Sequence, residues 1–345
     1  MTFDELLDRY EPRFAAAFRE AIDAIKSSII LARVVDRLER GDINGAVEAM
    51  QIDADAFSAL EIALQEAFNA GGINLTGELP KVTDPNGNRV IWRFGVRNPE
   101  AERVLRELSS TMVTRITDDQ RDGIRYALEQ GLVRGANPRS TALDIVGRQN
   151  AVTKRREGGV IGLTRHQIEF IERARVNLSS GDPALMRQYL TLKTRDKRFD
   201  RTVLGAIRTG KPIPTETLNR IIARLNDKNL LLRGEMLART ETMMALGASR
   251  DEALRQQIAA GKVAAQDVTK KWHSAGDNRV RHTHRVLNGK SVGIDESFQS
   301  PSGALLRYPG DRQAPISEIS GCRCWVEYKV DYIGGAARRY KAELV

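Results

Sequence analysis

The segment that decides the fold is residues 215–261, TETLNRIIARLNDKNLLLRGEMLARTETMMALGASRDEALRQQIAAG. Its apolar residues recur every three to four positions, which is the spacing of one buried helical face. The members of that face are Leu218, Ile222, Leu225, Leu232, Met236, Met243 and Leu246. The Lys-Pro-Ile-Pro sequence at 211–214 blocks a helix before Thr215. An unbroken helix of about 45 residues would reach about 67 Å, although Gly234 and Gly247 also allow a bend or a helical hairpin.

The chain before this segment is predicted to be mainly helical. Pro12 suits a first helical position, and a buried stripe at helical spacing follows it. The stripe consists of Phe14, Phe18, Ile22, Ile25 and Ile29. Asp53 is predicted to cap an Ala-rich helix that stops at the Gly-Gly pair 71–72. Thr117 with Gln120 resembles a capping box that starts another helix.

Strands are predicted in two places. Within residues 81–94, Pro85-Asn-Gly-Asn separates two β-prone runs, which predicts a β-hairpin. After Gly261 the pattern changes from helical to mixed. Strands are predicted at 270–273, 305–308 and 322–330, and a short helix at 279–287.

The predicted fold class is therefore α+β. A mostly helical N-terminal body with one β-hairpin and a long helix leads into a small α+β C-terminal domain. We place the body at residues 1–235, with a sub-boundary near residue 115. The C-terminal domain is placed at 236–333 and a tail at 334–345.

Composition excludes several classes of protein. The chain has 345 residues, of which 41% are hydrophobic and 29% charged, so it is long enough for two cores and is not intrinsically disordered. No apolar run approaches a membrane span, and the N-terminus lacks the features of a signal peptide. Two cysteines exclude a disulfide scaffold. We therefore expect a reducing environment, in which the cysteines are thiols or metal ligands.

The net charge of +9 is unevenly distributed. Residues 1–114 hold 13 basic and 19 acidic side chains, whereas residues 115–235 hold 24 basic and 14 acidic ones. The basic middle is suited to nucleic acid or an acidic protein surface, or else it covers solvated helix faces. It does not interleave aromatic residues as a surface for stacking single-stranded bases would.

Histidines and cysteines cluster near the C-terminus. His273, His282 and His284 fall within twelve residues, and Cys322 and Cys324 follow about forty residues later. On a strand, the two thiols would point to one face. Two thiolates with His-x-His are a donor set that suits zinc. The alternative is two small buried thiols and solvated histidines.

A catalytic interpretation and a structural one are both open for the nearby polar residues. Asp277, Arg281 and His284 could form a carboxylate–histidine pair with an arginine for an anion. No nucleophile accompanies them, so we favour a hydrogen-bonded network that braces a small domain. Phosphate-binding glycine loops and the common hydrolase motifs are absent from the sequence.

The order of the C-terminal motifs resembles a known family. They are Ala238-Arg-Thr-Glu, Trp272, Asp277 with Arg281 and His284, Leu287-Asn-Gly-Lys, Tyr308-Pro-Gly-Asp and Cys322-Arg-Cys. This string, over roughly residues 236–330, resembles the phage head morphogenesis family of phage Mu F-like minor head proteins. The residues that carry the match are Arg239, Thr240, Glu241, Trp272, Asp277, Arg281, His284, Gly289 and Arg323. Residues 115–150 resemble the helical segment that often precedes this domain.

The resemblance implies a minor head protein of a tailed phage, synthesised in the host cytoplasm and located in the virion. Its implied partners are the portal protein and the inner capsid or scaffold, and packaged DNA by non-specific contact or joint ejection. It implies neither an enzyme nor a membrane protein.

For the metal, the resemblance implies a reduced ligand set. One branch of the family carries Cys-x-x-Cys where this chain has residues 281–284, and a further histidine before Cys-x-Cys. Here Glu318-Ile-Ser-Gly precedes Cys322 instead. The implied zinc ligands are thus His284, Cys322 and Cys324, with His282 or Asp277 as a fourth.

Two other functions stay open at this point. The first is an enzyme with ADP-ribosyltransferase-like or toxin-associated activity, because the family's domain also occurs fused to toxins; Arg239, His284 and Glu318 would have to line one cleft. The second is a plain DNA-binding module centred on residues 115–235.

Overall fold

A computed structural model of the chain describes residues 1–83, 87–95 and 97–343. The helices are α1 (Phe3–Ser28), α2 (Leu31–Glu39), α3 (Ile43–Glu48), α4 (Ser58–Glu78), α5 (Pro99–Val133), α6 (Pro138–Val146), α7 (Arg165–Ser179), α8 (Pro183–Thr191), α9 (Asp200–Thr209), α10 (Thr215–Ala259), α11 (His282–Leu287), α12 (Ile316–Ile319) and α13 (Tyr332–Glu343). The strands are β1 (Arg148–Gln149), β2 (Arg156–Glu157), β3 (Val268–His273), β4 (Ser291–Gly293), β5 (Phe298–Gln299), β6 (Leu305–Leu306) and β7 (Trp325–Val330). The predicted α+β class is confirmed.

The long helix predicted from residues 215–261 is confirmed as α10, which runs 45 residues without a break. The helical-hairpin alternative is wrong, because neither Gly234 nor Gly247 interrupts the helix. A Cβ atom at Gly247 would lie 2.8 Å from the Pro309 carbonyl oxygen. The glycine therefore serves the close approach of a loop to the helix rather than a bend.

Several predicted helix ends are wrong. Helix α5 runs through Thr117, which is buried inside it instead of capping a new helix. Pro12 lies inside α1, because that helix already begins at Phe3. Helix α4 continues through the pair 71–72 to Glu78. A Cβ at Gly71 would lie 3.0 Å from the Leu246 carbonyl oxygen, so close packing explains a glycine that the sequence pattern assigned to a helix end.

The predicted hairpin within residues 81–94 is present as a minimal antiparallel contact. Thr83 and Arg89 form a β-bridge, and the Val90 N–H donates to the Val82 carbonyl at 2.9 Å. The turn residues Pro85 and Asn86 lie outside the described residues.

The C-terminal region contains a three-stranded antiparallel sheet with the order β4-β3-β7 and a two-stranded sheet of β5 and β6. Strand β3 is central, so that Trp272 pairs with Val326 and Lys270 pairs with both Val292 and Tyr328. The predicted strand at 270–273 is confirmed within β3, whereas the strand predicted at 322–330 begins only at Trp325.

The chain forms two compact units. Unit 1 consists of Met1–Ala15, Leu60–Met112 and Glu235–Val345, and unit 2 of Ala16–Ala59 and Val113–Gly234. The core of unit 1 packs α4 and the end of α10 against the sheet, with these buried residues: Leu75, Leu79, Ala253, Leu254, Val263, Val268 and Ile294. In unit 2, α2 packs against α6, and α8 packs against both α7 and α9. The division into domains at 235, 236 and 333 stays a prediction.

Among the described residues, no helix has both the length and the apolar character to span a bilayer.

Candidate metal centre

Three buried donor side chains converge in unit 1. His284 Nδ1 lies 3.4 Å from Cys322 Sγ and 3.4 Å from Cys324 Sγ. One donor atom from each residue falls within a group no wider than 4.8 Å. Tetrahedral bond lengths to zinc would separate a sulfur and a nitrogen ligand by about 3.6 Å. The spacing therefore fits one metal ion held by all three residues.

The two cysteines do not lie on a strand, as the sequence pattern predicted. They belong to the turn and extended segment before β7, after Gly321 with its φ of +62°. The Cys324 N–H donates to Cys322 Sγ at 3.4 Å, so the backbone curls around the first thiol. Both thiols still face His284 Nδ1. The turn brings them to the same side of the chain, as the alternation of side chains along a strand would have done.

Glu318 supports the histidine from its other side. Its Oε2 lies 3.0 Å from His284 Nε2, as a close polar contact rather than an aligned hydrogen bond. Thr283 Oγ1 donates to Oε2 at 2.9 Å, and Ser302 Oγ donates to Oε1 at 2.6 Å. Burial disfavours the charged carboxylate, but these hydroxyls and His284 hold the pKa of Glu318 below its usual value. A carboxylate behind a ligating histidine is a common second partner in metal sites.

The thiols themselves titrate as a pair. The hydrogen bond from Cys324 and the adjacent His284 lower the pKa of Cys322 well below its usual value, although burial acts in the opposite direction. The same hydrogen bond, together with burial, raises the pKa of Cys324. A site that favours one thiolate before metal arrives is suited to binding a cation.

Trp272 and Gly289 form the support beneath the histidine. The fully buried indole of Trp272 meets the His284 ring edge to face, with ring centroids 5.0 Å apart. The Gly289 N–H donates to the Trp272 carbonyl at 2.8 Å, and its φ of +82° explains why glycine stands at this turn. Strand β3 and helix α11 are thereby fixed together.

Arginines tie the loops around the centre. Arg281 donates to the backbone carbonyls of Glu318 and Ser320. Arg323 pairs with Asp277 at 2.6 Å, and this hydrogen bond lowers the pKa of Asp277. Asp277, Arg281 and His284, which the sequence analysis grouped in one network, thus contact different partners, and their bracing role stays a prediction.

Neither residue expected as a fourth ligand joins the described donor group. Asp277 points its carboxylate to Arg323 and to Arg279, at 2.6 Å and 3.5 Å. His282 is exposed on α11, two positions from His284 and therefore on another face of the helix. His273 contacts Glu327 at 2.9 Å on the sheet instead.

The Arg-Thr-Glu motif lies on α10 and has a positioning role. Arg239 forms a two-pronged ion pair with Glu11, with both N–O distances 2.8 Å. The Gly321 N–H donates to Thr240 Oγ1 at 3.0 Å, which anchors the turn before Cys322 to the long helix. Glu241 is buried beside them. Arg239 is thus engaged with α1, while His284 and Glu318 contact each other.

The region that holds this centre is similar in sequence to a known protein family. The sequence profile described as "Phage Mu protein F like protein" matches residues 197–327. Residues 197–327 are therefore similar to the phage Mu F-like family. The resemblance predicted from roughly residues 236–330 is confirmed, and the match begins earlier, in unit 2.

Two relatives extend the comparison. The chain is 34% identical over 89 residues to "Minor head protein GP7" of Bacillus phage SPP1, covering 24% of this chain and 29% of the relative. It is 34% identical over 102 residues to "Uncharacterized protein YqbB" of Bacillus subtilis strain 168, covering 29% and 31%. The chain thus spans about three tenths of each relative's length. No solved structure matches significantly.

Sequence reasoning missed the residues that hold Glu318. Thr283 and Ser302 belong to no motif that we recognised, and hydroxyl residues at such positions give no sequence signal. The turn residue Gly321 stands directly before the cysteine motif, where a glycine could have indicated that the segment is not a strand.

Proposed function

We propose that this protein is a minor component of a tailed-phage head and acts in head morphogenesis. The observation that supports this most strongly is the match of residues 197–327 to the phage Mu F-like family. The similarity to a minor head protein of phage SPP1 points the same way. Such a protein is made in the host cytoplasm and ends in the virion.

A structural role is favoured over a catalytic one by the contacts of Arg239. An ADP-ribosyltransferase-like site would need Arg239, His284 and an acid in one cleft. Arg239 instead pairs with Glu11, whereas Glu318 contacts His284.

The head role is tested by deleting the gene in the phage and supplying the wild-type chain in trans. We expect fewer DNA-filled heads after deletion and recovery on complementation, scored by electron microscopy. Normal yields of filled heads without the gene would contradict the proposal. An NAD-turnover assay on the purified chain should give no activity above the buffer blank.

We further propose that the protein docks at the portal vertex or inner capsid. Family resemblance supports this partner, and the test is co-elution of the purified chain with the portal oligomer of the same phage. An acidic bystander protein of similar size serves as the control. Failure to co-elute with portal or with procapsids would reject the docking proposal and leave the head role to the deletion experiment.

Contact with packaged DNA is proposed for unit 2. Unit 2 carries 29 basic and 21 acidic side chains, whereas unit 1 carries 25 and 24, so nearly all of the net charge lies in unit 2. Contacts of this kind neutralise phosphates and weaken as salt rises. Affinity for a random duplex should fall steeply between low and physiological salt, and a salt-independent affinity would contradict the proposal.

Zinc is the metal we propose for His284, Cys322 and Cys324. The buried two-sulfur, one-nitrogen donor set supports it, as does the carboxylate behind the histidine. The full chain purified without chelator should contain about one zinc per molecule, and chelation should lower its melting temperature. A Cys322→Ser variant should lose the zinc, whereas a His273→Ala control should keep it.

A further inference from the structure

The donor group of the metal centre has three members, and a small cavity adjoins it. The cavity has a volume of about 30 Å³. All three donor side chains line it. On the same measure, a single water molecule needs about 10–15 Å³. Space therefore exists beside the donors for a small ligand that does not come from the described side chains.

The rest of the cavity wall is cationic. Arg279, Arg281 and Arg323 line it. Asp277 lies beside them and contacts both Arg323 and Arg279. Three guanidinium groups against one carboxylate leave an excess of positive charge, which favours an anion at the cavity.

The side chains predicted as a fourth metal ligand either contact other residues or are exposed. Asp277 is held by two arginines, and His282 is exposed on another face of its helix. Glu318 lies on the far side of the imidazole, next to Nε2, while the thiols lie next to Nδ1. Three protein ligands with room for one further ligand is the arrangement of an open zinc site, whereas purely structural sites use four protein ligands.

We propose that the metal centre is open at its fourth position, where it holds a water that small anions can displace, with Arg279, Arg281 and Arg323 favouring the anion. This inference rests on the proposed metal binding at His284, Cys322 and Cys324. It concerns the ligand that completes the site, a small anion or hydroxide, and assigns no reaction to the protein.

The experiment is to load the full-length chain with Co²⁺ and to titrate it with azide while recording the visible absorption spectrum. We expect the cobalt bands to shift saturably with azide, and chloride to compete. The Asp277→Asn and His282→Ala variants should keep the cobalt bands and still respond to azide, and Asp277→Asn should bind azide more tightly because it removes a negative charge beside Arg279 and Arg323. A cobalt spectrum that azide does not change would overturn the proposal. Loss of the bands in either variant would also overturn it, by giving the fourth position to that side chain.

A second variant tests the cationic wall. Arg279→Gln should weaken azide binding about threefold, because an exposed charge near the anion is removed but partly screened. Arg285→Gln is the matched control, since Arg285 is exposed on α11 and does not line the cavity. Equal azide affinity in all three proteins would reject the role of the wall. Failure to take up cobalt at all would reject the metal site itself, which distinguishes that failure from an azide-insensitive but metal-loaded protein.

Discussion

The site loops of unit 1 (residues 274–324) and the glycine loop of unit 2 (residues 147–163) are anchored by different combinations of contacts. Both contain only short helices or strands, and both are anchored by cations that donate to backbone carbonyls. Lys26 Nζ donates to Gly158 at 2.8 Å and Arg233 Nη1 to Gly162 at 2.9 Å, whereas Arg281 holds the carbonyls of the site loops.

The difference lies in what accompanies those cations. The glycine loop also inserts Val160, Ile161 and Leu163 into the core of unit 2. The site loops also bury apolar side chains, such as Leu287, Phe298 and Leu306, but in addition they bury the carboxylates of Glu318 and Asp311 and the donor cluster. We therefore expect single polar substitutions to destabilise unit 1 more than unit 2.

The largest effect is expected at Asp311. This buried carboxylate forms a two-pronged pair with Arg307, at 2.7 Å and 2.9 Å, and accepts the backbone N–H groups of Arg307 and Gln313. Asp311→Asn leaves Arg307 unpaired and should lower the free energy of unfolding by about 3 kcal/mol. Urea unfolding followed by circular dichroism measures this loss of free energy. A loss below about 1 kcal/mol would contradict the expectation that polar substitutions destabilise unit 1 more than unit 2.

The same carboxylate gives a pH dependence of defined sign. Despite burial, hydrogen bonds from Arg307 lower the pKa of Asp311, so the folded chain binds the proton less readily than the unfolded chain. Its stabilisation is complete above the unfolded pKa of about 3.9 and is lost as pH falls through the lower folded value. The stability difference between wild type and Asp311→Asn should therefore shrink on acidification below about pH 4. A difference that grows in acid has the wrong sign for this account.

A smaller effect is expected at Arg281. Arg281→Gln removes a charged donor from the carbonyls of Glu318 and Ser320 and should destabilise the protein by about 2 kcal/mol. Arg285→Gln, four residues further along and exposed on α11, should change stability by less than about 0.5 kcal/mol. Equal effects of the two variants in thermal melts would show that the carbonyl contacts contribute nothing.

The smallest effect is expected in unit 2. Lys26→Met loses the hydrogen bond to Gly158, but it also removes a buried amine whose burial lowers the pKa of Lys26. The apolar side chains of the glycine loop stay in place. We expect the free energy of unfolding to fall by about 1 kcal/mol. It should change very little in the exposed control Lys211→Met. A loss larger than that of Arg281→Gln would reverse the comparison between the loops.

Local patterns in the sequence predicted the parts of the fold that depend on local physics. Helix α10 follows from its apolar period and the prolines before it, and strand β3 contains the strand predicted at 270–273. The misplaced helix ends at Thr117 and at the Gly-Gly pair 71–72 share one cause. Burial and close packing against distant residues decided them, and a local pattern contains neither.

The candidate site was predictable in its donors but not in its geometry. Cysteine and histidine chemistry pointed to a cluster of three histidines and two cysteines. The family resemblance narrowed it to His284, Cys322 and Cys324, which the fold brings together. The fourth-ligand expectation depended on side-chain direction, which is set by the pairing of Asp277 with Arg323 and by the exposed face of α11. Neither is visible without the packed loops.

The measurement that tests the central claim most directly is quantitative mass spectrometry of purified phage heads. Heads separated from tails should contain this chain in a few copies each, far below the major capsid protein. The chain should also be present in procapsids isolated before DNA packaging. Its absence from both procapsids and mature heads would contradict the assignment to head morphogenesis.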